Sequence, residues 1–193
     1  MARTREFDDE MAVRAARELF WERGYVSTSL ADLQAATRLS RSSMYATYGS
    51  KRGLFERAAL SYLAEVIDPL LGPMEAPGSG AAEIAGFFLA MAAVLRSPNE
   101  RLAKRGCFMI NTLLELDELD AGASDMVSVY RARVHRAVLN AVGSVEGVGD
   151  REARAGVLTA GHLGVMTMAR IAPVAAAVAS ETIAADVRQW AAA

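Results

Sequence analysis

The sequence predicts an all-α fold of about nine helices, and three observations lead there. Apolar residues make up 52% of the 193-residue chain, with alanine abundant and β-branched runs short, a composition that favours helix. Those residues recur three and four positions apart rather than alternating, as one face of a helix requires. Glycine and proline fall at wide intervals, leaving long uninterrupted segments between them. The length suits one domain or two small ones, and the apolar content suffices for a packed core.

In chain order, Phe7, Met11, Ala15 and Leu19, flanked by Ala12, Ala16 and Phe20, form one helical face that ends at Gly24. Thr28 or Ser29 can cap a short second helix through Ala36, with Asp32 in its first turn favoured by the helix dipole. Ser40 can cap a third helix running to about Thr47. Gly49 breaks the chain, and Ser50 can cap a fourth helix that continues until Pro69. Residues 69–80, PLLGPMEAPGSG, hold three prolines and three glycines and read as a loop or hinge. Helical patterns follow at 81–96, 105–116, 123–144, 151–170 and 173–191. Their separators are Ser97-Pro98-Asn99, the acidic stretch 117–120, Val148-Gly149-Asp150 and Ala172-Pro173. Pro173 suits the first position of its helix, where its missing N–H is not needed.

Composition excludes several kinds of function. A single cysteine permits no internal disulfide and fits a reducing compartment. With two histidines it cannot supply the four ligands of a structural zinc site, so neither metal nor cofactor is expected. The opening MARTREFDDE has no apolar run, and no segment approaches the roughly 20 apolar residues of a membrane span; a cytoplasmic protein is expected. The net charge of −2 argues against indiscriminate nucleic-acid binding, but it hides a split. Residues 1–60 carry ten Lys/Arg and eight Asp/Glu, whereas residues 61–193 carry eleven and fifteen. Between 33 and 57, Arg38, Arg41, Lys51, Arg52 and Arg57 face Glu56 alone. Such a basic segment on an acidic body is either a solvated surface or the footprint of a polyanion-binding site.

The spacing favours the second use. Two short helices joined by a tight turn, Thr28–Ala36 and Ser40–Thr47, give a helix-turn-helix, whose second helix enters the DNA major groove. Arg41, Ser42, Ser43, Tyr45 and Thr47 are donors or amphipathic groups suited to that groove, with Leu39 and Met44 as inward anchors. Arg41 has two uses open, a bidentate grip on guanine or a hold on phosphate, and Tyr45 has a core role as its alternative. Lys51 begins the next helix, where its ammonium and the free backbone N–H groups can clamp a phosphate.

Residues 20–55, FWERGYVSTSLADLQAATRLSRSSMYATYGSKRGLF, resemble the DNA-binding segment of the TetR family of bacterial transcriptional regulators. The likeness runs without a gap through Phe20, Gly24, Tyr25, Thr28, Leu33, Ala36, Ser40, Tyr45, Tyr48, Lys51, Leu54 and Phe55. RGCFMINTLLEL at 105–116 resembles a segment of one branch of that family. The resemblance implies a helix-turn-helix head over residues 1–50 and a ligand-binding and dimerisation body over 51–193. It implies a homodimer formed through the last two helices, bound to a palindromic double-stranded operator as a repressor and released by a small lipophilic inducer. By position, Thr28 would touch phosphate, Arg41, Ser42 and Ser43 would face the groove, and Tyr45, Thr47 and Lys51 would sit on the backbone. Tyr48 packs inward in the family. Two departures stand out: Arg38 occupies a turn position where most members have Gly, and Thr47 one where many have His. A left-handed backbone at Arg38 would cost about 1 kcal/mol, which its guanidinium can recover on a phosphate.

In the body, Phe88, Met91, Phe108 and Met126 recur at helical spacings, as do Tyr130 and Met166. They are either core filler or the lining of an adaptable lipophilic cavity, with Asn111 as its polar anchor or as an ordinary buried amide. Cys107 follows Lys104 and Arg105 near a helix start, which favours a thiolate; a thiol-switched repressor is the alternative to ligand release. The other possibility is a small buried apolar residue. A catalytic pairing of Cys107 with His135 or His162 has no sequence signature behind it, and no enzyme is expected. Gly156, Ala160 and Gly164 make a small-residue row that admits close approach of another helix, from the same subunit or a symmetry mate.

Overall fold

The computed structural model describes residues 2–119 and 121–190, with side chains from residue 9 onward, so the Phe7 side chain, Asp120 and Ala191 lie outside it. It is all-α, as expected. Helices α1 (Ala2–Arg23), α2 (Leu30–Thr37) and α3 (Arg41–Tyr48) form a head. From there α4 (Lys51–Tyr62) runs through a π-helical turn (Leu63–Ile67) into α5 (Asp68–Glu75). The body adds α6 (Ala81–Leu95), α7 (Glu100–Ala103), α8 (Phe108–Leu113), a 3₁₀ turn (Leu116–Glu118), α9 (Ala121–Gly143), α10 (Arg151–Met168) and α11 (Pro173–Trp190).

Two boundaries correct the sequence reading. The fourth helix does not stop at Pro69, because the preceding π turn re-phases the backbone bonds and places that proline in the first turn of α5, where its missing N–H costs little. Pro73 then lies inside α5. The break comes at Ala76, extended at φ −70° and ψ 147° ahead of Pro77, so only 76–80 is loop. Asn140 of α9 donates its amide to the carbonyls of Met74 (2.8 Å) and Ala76 (3.3 Å), satisfying acceptors that the helix end leaves open. Secondly, 105–116 is not one helix. Gly106 takes φ +66° with the Met166 carbonyl closing in on its Cα, and this separates α7 from α8.

One continuous core joins head to body. Phe20 meets Phe55 edge-on at 5.2 Å, Phe55 stacks on Phe108 at 5.3 Å, and Phe108 stacks on Tyr62 at 5.4 Å. Phe20 and Phe55 come from the head and the start of α4, Phe108 from α8, so the junction is apolar and packed. In the body, α6 lies along α11, and α9 packs on α5 and α10. Arg133 of α9 bridges Asp68 and Glu75, fastening α5 at both ends.

Candidate nucleic-acid interface

The helix pair α2–α3 is held by local chemistry. Ser29 caps α2 by accepting from the Asp32 N–H (3.1 Å), while the Asp32 carboxylate accepts from the Ser29 N–H (2.9 Å) and hydroxyl. Those bonds from Ser29, with Arg23 alongside, hold the Asp32 carboxyl below its usual range. Leu33 and Met44 are fully buried and set the two helices against α1 and α4, Met44 being the inward anchor predicted. Between them Arg38 sits in the left-handed region, φ 59° and ψ 17°, the strained conformation that the sequence raised.

Ser40 caps α3, accepting from the Ser43 N–H at 3.1 Å, and its hydroxyl also bonds those of Ser42 and Ser43 at 2.9 Å each. Away from Met44, α3 presents Arg41, Ser42, Ser43, Tyr45 and Thr47, all exposed. Tyr45 is 40% exposed with Arg41 over its ring at 5.6 Å, so it is surface, not core. Arg38 is exposed at the near end of α3. At the far end, Ser50 caps α4 by accepting the Gly53 N–H (3.0 Å), and the Lys51 ammonium lies 4.2 Å from the Tyr25 ring centre.

Thr28 departs from its expected phosphate contact. It is 0% exposed and its hydroxyl donates to the Gly24 carbonyl at 2.6 Å, bracing the α1–α2 turn instead. Tyr48 does turn inward, donating to Asp9 of α1 at 2.6 Å; burial first, then this bond, raises its phenol pKa well above the usual value. The sequence reading passed over Gly53. A Cβ there would strike the Tyr48 carbonyl, so only glycine lets α4 start this close to α3. The signal available was a glycine in the first turn of a predicted helix.

The body residues singled out are core. Phe88, Met91, Phe108, Tyr130 and Met166 belong to one buried cluster, with Met126 partly buried against it. Asn111 is drawn elsewhere: its amide donates to the Arg105 carbonyl (2.9 Å) and the Trp21 carbonyl (3.4 Å), tying the Gly106 bend to α1 of the head.

A buried polar chain crosses this core. The Tyr62 hydroxyl donates to Cys107 Sγ (3.2 Å), Cys107 donates to the Tyr130 oxygen (3.5 Å), and that oxygen lies 2.8 Å from His162 Nε2. His162 Nδ1 is 3.1 Å from Met91 Sδ. A thioether only accepts, so Nδ1 carries the imidazole proton and Nε2 accepts from Tyr130. Burial lowers the His162 pKa to about 4, which keeps the ring neutral, and burial likewise raises both tyrosines well above their ordinary value. His162 thus reaches Cys107 only through Tyr130. His135 is occupied on another face by Thr159 (3.3 Å) and Glu152 (2.9 Å).

The model of bacterial regulatory proteins of the tetR family matches residues 12–58, which span α2, the Arg38 turn, α3 and the start of α4. Residues 12–58 are a tetR-family segment. It is 39% identical over 115 residues to the HTH-type transcriptional regulator YezE of Bacillus subtilis, covering 60% of this chain and 58% of that one. It is 35% identical over 136 residues to the HTH-type transcriptional repressor ComR of Escherichia coli, covering 68% and 60%. The chain thus spans less than two thirds of either relative's length. Among solved structures, a cysteine mutant of the TetR family transcriptional regulator CifR, complexed with 26-bp double-strand operator DNA, is similar at 26% identity and a TM-score of 0.63 over 95% of both chains. No helix among the described residues is long and apolar enough to cross a membrane.

Proposed function

We propose that the protein is a homodimeric DNA-binding transcriptional repressor, with residues 1–50 as the reading head and 51–193 as the ligand-binding and dimerisation body. The observation that carries this reading is the exposed surface of α3: Arg41, Ser42, Ser43, Tyr45 and Thr47 are all open to solvent on a doubly capped helix pair, between the cations of Arg38 and Lys51. Arg41 and the serines suit base edges, while Arg38, Tyr45, Thr47 and Lys51 suit the backbone on either side.

Support for a dimer comes from α10 and α11. Val157 is 71% and Val174 65% exposed, and a Cβ built at Gly156 or Gly164 meets nothing in its own subunit. An apolar face interrupted by small residues suits a symmetry mate. A two-fold pair of heads requires an inverted repeat, with half-sites about 34 Å apart. Release follows if a small lipophilic ligand settles among Met91, Tyr130 and their neighbours and shifts α4, which runs unbroken from head to body. The ligand must bind the released geometry better, because equal affinity would shift nothing.

The test is selection of duplexes from a random pool by the full chain. The reading expects an inverted repeat, and loss of retention in Tyr45→Ala and Lys51→Ala. Recovery of no duplex, or of an asymmetric site bound one chain per duplex, overturns it.

A second reading, release by oxidation of Cys107, is favoured by the place of Sγ in the buried polar chain, where its oxidation would break the bonds to Tyr62 and Tyr130. A peroxide would convert the thiol to a sulfenic acid and be reduced to water. Cys107 is only 2% exposed, so α8 must open first. Peroxide-driven release that persists in Cys107→Ala excludes this reading.

A further inference from the structure

One contact between body and head lies outside the helix-turn-helix and outside the polar chain. Glu115 follows α8 and points back across 89 residues of sequence to the α1–α2 turn, where its carboxylate accepts the Val26 N–H at 2.9 Å. It lies against Gly24, which has φ +83° and where any Cβ would collide with the carboxylate. Gly24 is thus required twice, for its backbone and for the room it leaves. The carboxylate thus touches both chain neighbours of Tyr25, and it is over the Tyr25 ring that the Lys51 ammonium lies, at 4.2 Å from the ring centre. While burial lowers the pKa of that ammonium, the Glu115 charge acts in the opposite direction. The carboxylate does not float: its backbone N–H donates to the Thr112 carbonyl at 3.0 Å, and Leu116 beside it packs on the core. Neighbouring body residues grip the same helix of the head, Arg105 pairing with Glu18, Arg101 with Glu22, and Trp21 donating to the Gly106 carbonyl.

We propose that Glu115 is a counter-charge the body holds against the head, fixing the α1–α2 turn and competing with DNA phosphate for Lys51. The inference rests on the DNA-binding reading above, and it gives the segment that carries Cys107 and α8 a through-space charge effect on a phosphate-binding cation. Any displacement of α8 moves the carboxylate relative to Lys51 at the first turn of α4 and resets DNA affinity without shifting the rest of that helix.

The experiment compares wild type, Glu115→Gln, Lys51→Gln and the double variant on a random-sequence duplex across a salt series, with thermal midpoints measured alongside. The glutamine keeps the shape and an oxygen for the Val26 N–H, and loses only the charge. Glu115→Gln is expected to tighten duplex binding roughly threefold per head at low salt, the scale of a partly exposed ion pair. The slope of log K against log salt should steepen by well below about 1 per head, since Lys51 already contributes most of its charge to phosphate in the wild type. Both gains should vanish when Lys51 is already glutamine, and the thermal midpoint should hold. Unchanged affinity and slope, or an equal gain in the Lys51→Gln background, overturns the proposal. Should Glu115→Gln lower the midpoint, Glu115→Ala run through the same Lys51 cycle decides, because the charge gain must still depend on Lys51. If Lys51→Gln alone leaves binding and slope untouched, it is the DNA-binding reading that fails. If Lys51→Gln weakens binding and Glu115→Gln does nothing, the counter-charge alone fails.

Discussion

The head and the body bury polar groups in opposite ways. In the head, polar side chains work at helix ends: Ser29, Ser40 and Ser50 cap three consecutive helices from the surface, and the polar residues of α3 stay open to solvent. In the body, polar side chains run through the interior: Tyr62, Cys107, Tyr130 and His162 form one chain inside an apolar core. Caps are local and independent, so the loss of one leaves the others in place. A buried chain is cooperative, since each member's loss strands its neighbours, and that makes the body the sensitive half.

The comparison can be broken at the junction first. Phe55→Ala removes the ring between Phe20 and Phe108 and should cost about 3–5 kcal/mol in unfolding free energy. A denaturant midpoint close to wild type would show that head and body do not share a core.

Acid should act on the body through His162. His162 has its pKa lowered to about 4 in the folded protein, against 6.5 unfolded, so the unfolded chain binds the proton more readily. The stability gained by keeping the ring neutral is therefore full above pH 6.5 and is lost as pH falls through the folded value, at about 1.4 kcal/mol per pH unit within that window. Unfolding monitored between pH 7 and 4 should lose this slope in His162→Gln; an identical profile in the variant would contradict the buried neutral ring.

Much of the head was legible because its determinants are local. A serine three residues ahead of an aspartate announced the α2 cap, and the Arg38 position announced its own strain. Thr28 misled because its phosphate contact was carried over by position from the family resemblance, while its burial depends on how the α1–α2 turn closes on Gly24. The body's long helices, α6, α9, α10 and α11, were also readable from periodicity, whereas α5 and the bend at Gly106 were not. Its polar chain was not, since Tyr62, Cys107, Tyr130 and His162 come from four separate segments and meet only once the bundle is packed. The π turn escaped for a related reason: Pro69 looks like a terminator unless the preceding turn has already shifted the hydrogen-bond phase.

Smaller effects sharpen the contrast. Tyr130→Phe strands the Cys107 thiol and His162 Nε2 together and should cost about 1–3 kcal/mol. Ser29→Ala in the head should cost only about 1 kcal/mol, the usual loss of a cap. Thermal unfolding of the two variants side by side checks the order, and a larger loss from the cap than from the chain would reverse the comparison.

The most direct measurement is the salt dependence of duplex binding by the full chain, with and without the cations that border α3. Arg38, Arg41 and Lys51 on two heads should give a log–log slope of roughly −5, falling by about 2 in Lys51→Ala. A slope near zero, or one that Lys51→Ala leaves unchanged, would contradict the assignment of this surface to DNA.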